Sequence, residues 1–167
     1  MSDMVERVEL APEFTISRVL TGLWQIADME RDGTTLDAVA SATAMGRYVE
    51  AGFTSFDMAD HYGSSEVIAG RFRESNHSDS VELLTKWVPE PGRHTRENVR
   101  AAVQLALERT CSEVIDLLQF HAWNYADPDW LDCLFWLQEL KHEGLIRHLG
   151  LTNFDTAHLG MVVHSGI

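Results

Sequence analysis

The chain has 167 residues, which is enough for one domain with a hydrophobic core. Hydrophobic residues make up 45% and charged residues 23%, the usual balance of a globular protein rather than of a fibrous or low-complexity chain. The formal net charge of −13 argues against nucleic acids and anionic membranes as partners, because phosphate groups attract cations.

Membrane and secretion signals are weak along the chain. No stretch approaches the roughly 18–20 consecutive apolar residues of a membrane span. Residues 1–14 lack the charged start and apolar run of a secretory signal, so we expect a cytoplasmic protein. Cys111 and Cys133 lack CxxC spacing, and each lies in a helical pattern, which predicts two small buried apolar residues.

The first part of the chain predicts a small hairpin followed by a β-strand and an α-helix. The hairpin strands are expected at Val8–Ala11 and Thr15–Arg18, and the next strand at Val19–Trp24. A polar loop is expected over Ala27–Thr34. Apolar residues at helical spacing then predict a helix over Thr35–Glu50.

From there short apolar runs alternate with helical patterns. The next strands are predicted at Phe53–Asp57, Glu82–Lys86, Val114–Phe120 and Ile146–Leu151. The helices between and after them are expected to begin at Ser64 or Ser65, at Thr95, at Asp127-Pro128 and at Asp155, with the third ending at Glu143 and the last at His164.

A hairpin followed by five βα units predicts an α/β fold with a parallel sheet. An open doubly wound sheet would normally carry a glycine-rich phosphate turn after its first strand, and residues 21–25 contain no such motif. The pattern therefore favours a (β/α)8 barrel of the TIM type. A complete barrel needs eight units in about 250 residues, so we expect an incomplete one.

Polar residues follow four successive predicted strands. Asp57, Lys86 and His121 end the second, third and fourth strands, and Tyr62 lies in the loop after the second. The carboxyl ends of barrel strands meet at one rim, where the chemistry of such barrels takes place. A lysine cation favours the phenolate form of a neighbouring tyrosine and so makes it a better proton donor. A histidine can orient the same acceptor oxygen.

These residues lie in motifs that resemble the aldo-keto reductase family. Phe56–Glu66 is similar to that family's Asp-x-Ala-x-x-Tyr-Gly signature with its following glutamate. Leu84–Lys86 and Asp116–His121 are similar to the strands that bear its lysine and histidine. Gly144–Phe154 is similar to its Gly-Lys-Ile-Arg-x-x-Gly-x-Ser-Asn-Phe element, with Thr152 in place of serine.

The resemblance implies a function and a set of roles. It implies reduction of a small carbonyl substrate by hydride transfer from NADPH or NADH, without a metal. Tyr62 would be the general acid, Lys86 paired with Asp57 would strengthen it, and His121 would orient the carbonyl. The residues implied to bind the cofactor are Gly22, Leu23, Trp24, Asp57, Thr152 and Asn153, and those implied to wall the substrate pocket are Trp24, Trp87 and Trp123.

The family continues for three more βα units, so the resemblance implies that residues 1–167 are a single, C-terminally truncated barrel domain. We expect a fragment, a truncated reading frame, or self-association through the open barrel edges. Two alternatives to the reductase stay open. One is a catalytically inactive relative or interaction module. The other is a barrel metal hydrolase that uses Asp57, Asp60, His61 and His121 as ligands.

Overall fold

The computed structural model describes residues 5–25, 36–76, 81–123, 125–126 and 128–167. The predicted loop over Ala27–Thr34 lies outside these residues, as does Asp127. Within them, an N-terminal hairpin of two strands is followed by five strands that alternate with five helices. This order matches the predicted hairpin and five βα units.

The hairpin consists of β1 (Arg7–Ala11) and β2 (Phe14–Ser17), which pair antiparallel. It lies against the amino ends of the central strands, where Phe14 and Ile16 pack on Leu84 and Leu117. The backbone N–H of Ser17 donates to Oγ of Ser55 at 2.7 Å. The hairpin therefore covers the end of the sheet opposite the one where the polar strand-end residues lie.

Five parallel strands form the central sheet. They are β3 (Thr21–Gly22), β4 (Ser55–Asp57), β5 (Glu82–Trp87), β6 (Ile115–His121) and β7 (Ile146–Thr152). Their spatial order is the chain order, β3-β4-β5-β6-β7, and every pair is parallel. A doubly wound sheet reverses its strand order at a switch point, so this unbroken order supports the barrel-type architecture.

Helices follow the strands and cover the sheet. They are α1 (Ala38–Glu50), α2 (Ser65–Asn76), α3 (Arg96–Arg109), α4 (Asp129–His142) and α5 (Thr156–Ser165). The predicted apolar stripes point inward: Met45 of α1, Phe72 of α2 and Val103 of α3 are each at most 2% exposed. Within the described part of the chain, no helix combines the length and the apolar character that crossing a membrane requires.

The helix starts follow the capping residues only in part. Thr95 forms the predicted cap with a capping box to Asn98. The helix predicted from Thr35 begins at Ala38, because the Asp37 side chain accepts from two backbone N–H groups of the first turn. The helix predicted to begin at Asp127-Pro128 begins at Asp129, and Pro128 is its cap residue without a side-chain hydrogen bond.

Two other predictions need correction. The strand predicted over Val19–Trp24 is confined to Thr21 and Gly22, since its described partner β4 has only three residues, and Val19 is 61% exposed. Cys111 is not a buried helical residue. It follows α3 in a left-handed conformation with φ of 49° and is exposed, whereas Cys133 is buried as predicted.

Strand register brings the carboxyl ends of the strands to one rim. Asp57 of β4 lies opposite Gly22 of β3 and Leu84 of β5. Towards the other edge of the sheet, His121 of β6 lies opposite Thr152 of β7. The residues that end β4 to β7 therefore face a common mouth, as the strand-end argument predicted.

Candidate active site

An ion pair between Lys86 and Asp57 lies at the centre of the rim. Nζ of Lys86 is 2.7 Å from both carboxylate oxygens of Asp57 and 3.0 Å from the backbone oxygen of Met58. Lys86 is only 8% exposed. A buried ammonium group needs charged and polar partners, and these three contacts fix its position.

Tyr62 lies beside this ion pair. The loop after β4 turns through Tyr62, whose N–H donates to the backbone oxygen of Ala59 at 3.1 Å. The centre of the Tyr62 ring is 5.0 Å from Nζ of Lys86 and 4.8 Å from the Trp24 ring, which meets it edge to face. The Tyr62 ring is thus held next to a cation.

His121 is the third polar side chain of the mouth. Its ring packs on Trp123 at 4.7 Å and lies 6.1 Å from the His61 ring. Burial, with smaller contributions from His61 and Lys86, lowers the pKa of His121 below its usual range. The imidazole is therefore mostly neutral at pH 7, and one ring nitrogen carries a proton that it can donate to a ligand. Among the described residues, Nδ1 of His121 has no hydrogen-bond partner although it is buried.

Asp60 holds the loop after β4 against the end of β5 and the residue that follows it. One carboxylate oxygen of Asp60 accepts the backbone N–H of Val88 at 3.0 Å, and the other lies 2.9 Å from Nδ1 of His61. The N–H of Asp60 in turn donates to the backbone oxygen of Lys86 at 3.0 Å. Tyr62 and Lys86 therefore belong to two segments that are joined directly by hydrogen bonds.

A second set of contacts behind the mouth was not predicted. Glu66 of α2 is 2% exposed, and it accepts the hydroxyl of Thr85 at 2.6 Å. Burial raises the pKa of Glu66, and this rise is opposed by hydrogen bonds from Thr85 and Arg109. Arg109 lies 3.3 Å from both Glu66 and the backbone oxygen of Asp60. The sequence offered one signal for these contacts: Glu66 is the glutamate that follows the signature motif, and a buried carboxylate needs hydrogen-bond partners.

The structure gives the three tryptophans of the predicted pocket different surroundings. Trp24 is 38% exposed and contacts Tyr62, while Trp123 is 64% exposed and contacts His61 and His121. Trp87 instead packs its ring on Phe120 and His94. A cavity of about 620 Å³ lies beside Trp87 and Trp123, and Asp60, His61, Lys86 and residues of α3 also line it. Trp24 is not among the residues that line it.

The predicted cofactor residues lie on both sides of the mouth. Gly22 is exposed, and a Cβ added there would meet no atom within 4 Å. Leu23 is fully buried in the core, so only its backbone is near the mouth; its N–H donates to the backbone oxygen of Asp57 at 2.9 Å. Thr152 and Asn153 lie across the sheet at the end of β7.

The predicted metal ligands are engaged with other groups. Asp57 faces the Lys86 ammonium, and Asp60 bridges Val88 and His61. Over the described residue ranges, no group of three or more His, Cys, Asp or Glu side chains is arranged to hold a metal ion. The geometry at this rim instead combines a cation-flanked phenol with a neutral imidazole, which suits proton donation to a developing oxyanion.

Comparison with known proteins identifies the family and relatives of the chain. The model of the aldo/keto reductase family matches residues 18–167. The uncharacterized oxidoreductase YcsN of Bacillus subtilis is 27% identical, over 90% of this chain and 53% of its own length. The human aflatoxin B1 aldehyde reductase member 2 is 32% identical, over 73% of this chain and 35% of its own. The chain thus spans about half the length of YcsN and about a third of the human enzyme.

The fold also matches solved structures. An aldo-keto reductase of Bombyx mori in complex with NADP superposes with a TM-score of 0.73 at 22% identity, covering 96% of this chain and 54% of that one. Such structures are TIM barrels, so the five described βα units correspond to part of a (β/α)8 barrel. The family consists of oxidoreductases that use NADPH or NADH for carbonyl chemistry. The chain belongs to the aldo/keto reductase family.

Proposed function

We propose that this chain carries the catalytic residues of an NAD(P)H-dependent reductase that converts an aldehyde or ketone to an alcohol. The observation that carries the proposal is the position of Tyr62 next to the Lys86–Asp57 ion pair, with Nζ of Lys86 5.0 Å from the ring centre. The name of the human relative, an aldehyde reductase, points to the same substrate class.

Tyr62 is the general acid in this proposal. A carbonyl oxygen gains negative charge as its carbon accepts hydride, and the phenol of Tyr62 gives its proton to that oxygen. The Lys86 cation stabilises the phenolate that is left, and Asp57 keeps the cation in place. Solvent returns a proton to Tyr62, so the residue is unchanged after one turnover.

His121 orients the carbonyl oxygen in this proposal. Because its pKa is lowered, His121 is neutral and can donate one N–H to the oxygen without transferring the proton. The Trp24 ring packs on Tyr62 and the Trp123 ring on His121, so the two tryptophans border the reacting atoms in this proposal.

The residues at the rim fit a nicotinamide cofactor. NADPH or NADH, when bound, supplies the hydride. Gly22 leaves open space beside the mouth. Asn153 uses its side-chain Nδ2 as a donor to the Ala122 backbone oxygen at 3.2 Å, so Oδ1 is its atom for accepting from a carboxamide. We propose that Thr152 supplies a hydroxyl at the same place and that Leu23 and Trp24 border the ring.

A second candidate is a chain that binds a partner without turnover, through self-association of open barrel edges. It is motivated by the sheet itself: within the described ranges, β3 and β7 each pair with a strand on one side only. The two candidates make opposite predictions about cofactor binding.

Titration with NADPH or NADH should quench the intrinsic tryptophan fluorescence saturably, with a half-saturation point in the micromolar range, because Trp24 and Trp123 lie at the mouth. The variant Trp123→Phe should lose part of the quenching. Trp136→Phe, a matched change on α4, should retain it. An absence of quenching up to millimolar concentrations of both cofactors would favour the non-catalytic candidate.

A further inference from the structure

Asn153 is held in an unusual backbone conformation at the end of β7. Its φ is 63°, in the left-handed region that asparagine tolerates better than most residues. Its Nδ2 donates to the backbone oxygen of Ala122, in the loop between β6 and α4, at 3.2 Å. The side-chain amide is therefore tied to a neighbouring loop rather than left free to rotate.

Tyr125 holds the backbone of the same residue. Its hydroxyl donates to the backbone oxygen of Asn153 at 3.1 Å. Tyr125 lies three residues after Ala122 in the same loop, so one loop contacts both the side chain and the carbonyl of Asn153. Two contacts on different atoms restrict rotation of this residue more than either contact does alone.

The Tyr125 ring is itself fixed by aromatic neighbours. It stacks on the His158 ring at 3.5 Å with an interplanar angle of 6°. The rings of Trp130 and Phe154 meet it edge to face, each at 5.5 Å. His158 is held by Asp155, 2.8 Å from its Nδ1. The phenol oxygen is thus presented at a defined point next to Asn153.

The Tyr125 hydroxyl remains a donor over the working pH range. Burial raises the pKa of Tyr125 above its usual value, a hydrogen bond with the Asp155 backbone opposes this rise, and the charge of Asp155 adds a smaller rise. Deprotonation would abolish the hydrogen bond to the Asn153 carbonyl, but a tyrosine is already protonated near neutral pH, and the raised pKa of Tyr125 keeps it so.

We propose that Tyr125 is a positioning residue that, together with the Ala122 carbonyl, orients Asn153 so that its Oδ1 accepts a hydrogen bond from the carboxamide N–H of the nicotinamide ring. This inference rests on the proposed function, since it requires that the rim bind NADH or NADPH. Tyr125 touches neither the substrate nor the reacting atoms. It acts only through Asn153.

The test compares two reduced cofactors that differ in the atom concerned. NADH carries a carboxamide with N–H donors, whereas the reduced 3-acetylpyridine analogue carries a methyl ketone with none. The variant Tyr125→Phe keeps the ring and removes the hydroxyl. It should weaken NADH binding about 3- to 10-fold, the effect of one hydrogen bond, and change binding of the analogue little. A general packing defect would weaken both cofactors equally.

A double-mutant cycle provides the control. Asn153→Gly removes the amide while tolerating positive φ, so Tyr125→Phe should cause no further loss of NADH affinity in that background. Hydrogen exchange without cofactor gives an independent measurement: Tyr125→Phe should raise exchange over residues 152–158.

The outcomes separate this inference from the proposed function. Normal NADH binding by the wild-type chain, with an unchanged ratio of NADH to analogue affinity in Tyr125→Phe, would overturn the role of Tyr125 and leave the proposed function standing. No NADH binding by the wild-type chain would contradict both.

Discussion

Replacing Tyr62 with phenylalanine should lower kcat for carbonyl reduction by about 10²- to 10⁴-fold, the usual contribution of a general acid. The substitution removes the proton donor and keeps the ring. The ring contacts with Trp24 and His61, and its position 5.0 Å from Nζ of Lys86, do not need the hydroxyl. KM for the cofactor should therefore change little, which separates a chemical role from a binding role.

The measurement is steady-state oxidation of NADPH with a panel of aldehydes and ketones. Tyr48→Phe is the matched control, because it removes the same hydroxyl group at a position away from the mouth. Tyr48 lies on α1 and is 48% exposed. Its kcat should equal that of the unmodified chain. A Tyr62→Phe variant with the same kcat as the control would show that another group donates the proton.

Gly70→Ala should destabilise the fold by at least about 3 kcal/mol, the upper range for inserting an atom into a well-packed contact. Gly70 lies on α2 where it meets the end of α3. An added Cβ would be 2.1 Å from the backbone oxygen of Arg109 and 3.1 Å from Sγ of Cys111. The oxygen belongs to the backbone, so only a displacement of one helix can relieve the overlap.

The sign of this effect is informative, because glycine to alanine inside a helix normally stabilises by about 1 kcal/mol. Gly160→Ala on α5 provides the comparison, since a Cβ there would meet no atom within 4 Å. Urea unfolding monitored by circular dichroism should show Gly160→Ala at or above the stability of the original chain and Gly70→Ala far below it. Equal stability of the two variants would mean that α2 and α3 do not approach as closely as described.

The positions of the proposed catalytic residues could be predicted because their signal is local. Asp57 and His121 end their strands and Lys86 is the next-to-last residue of β5, and parallel strands bring their carboxyl ends together. Tyr62 follows a strand rather than ending it, so the strand order placed it at the same rim and the family motif implied its role. These predictions needed only the order of strands and helices, which hydrophobic periodicity indicates well.

The contacts that support the site were not predictable in the same way. Arg109 meets Glu66 from the far end of α3, and Tyr125 meets Asn153 across two loops. Such contacts depend on side-chain packing between segments far apart in the chain, and no periodicity marks them. The length of β3 was overestimated for a related reason, because pairing with the short strand β4 limits it and apolar character does not.

The most direct test of the central claim is deuterium transfer from NADPH labelled at its hydride-donating carbon to an aldehyde substrate. If the chain reduces carbonyls as proposed, the alcohol product carries deuterium on its carbinol carbon, and Tyr62→Phe forms labelled product at least about 100-fold more slowly. An alcohol without deuterium, or no alcohol from a chain that binds NADPH, would contradict the assignment of Tyr62, Lys86, Asp57 and His121 as a carbonyl-reducing site.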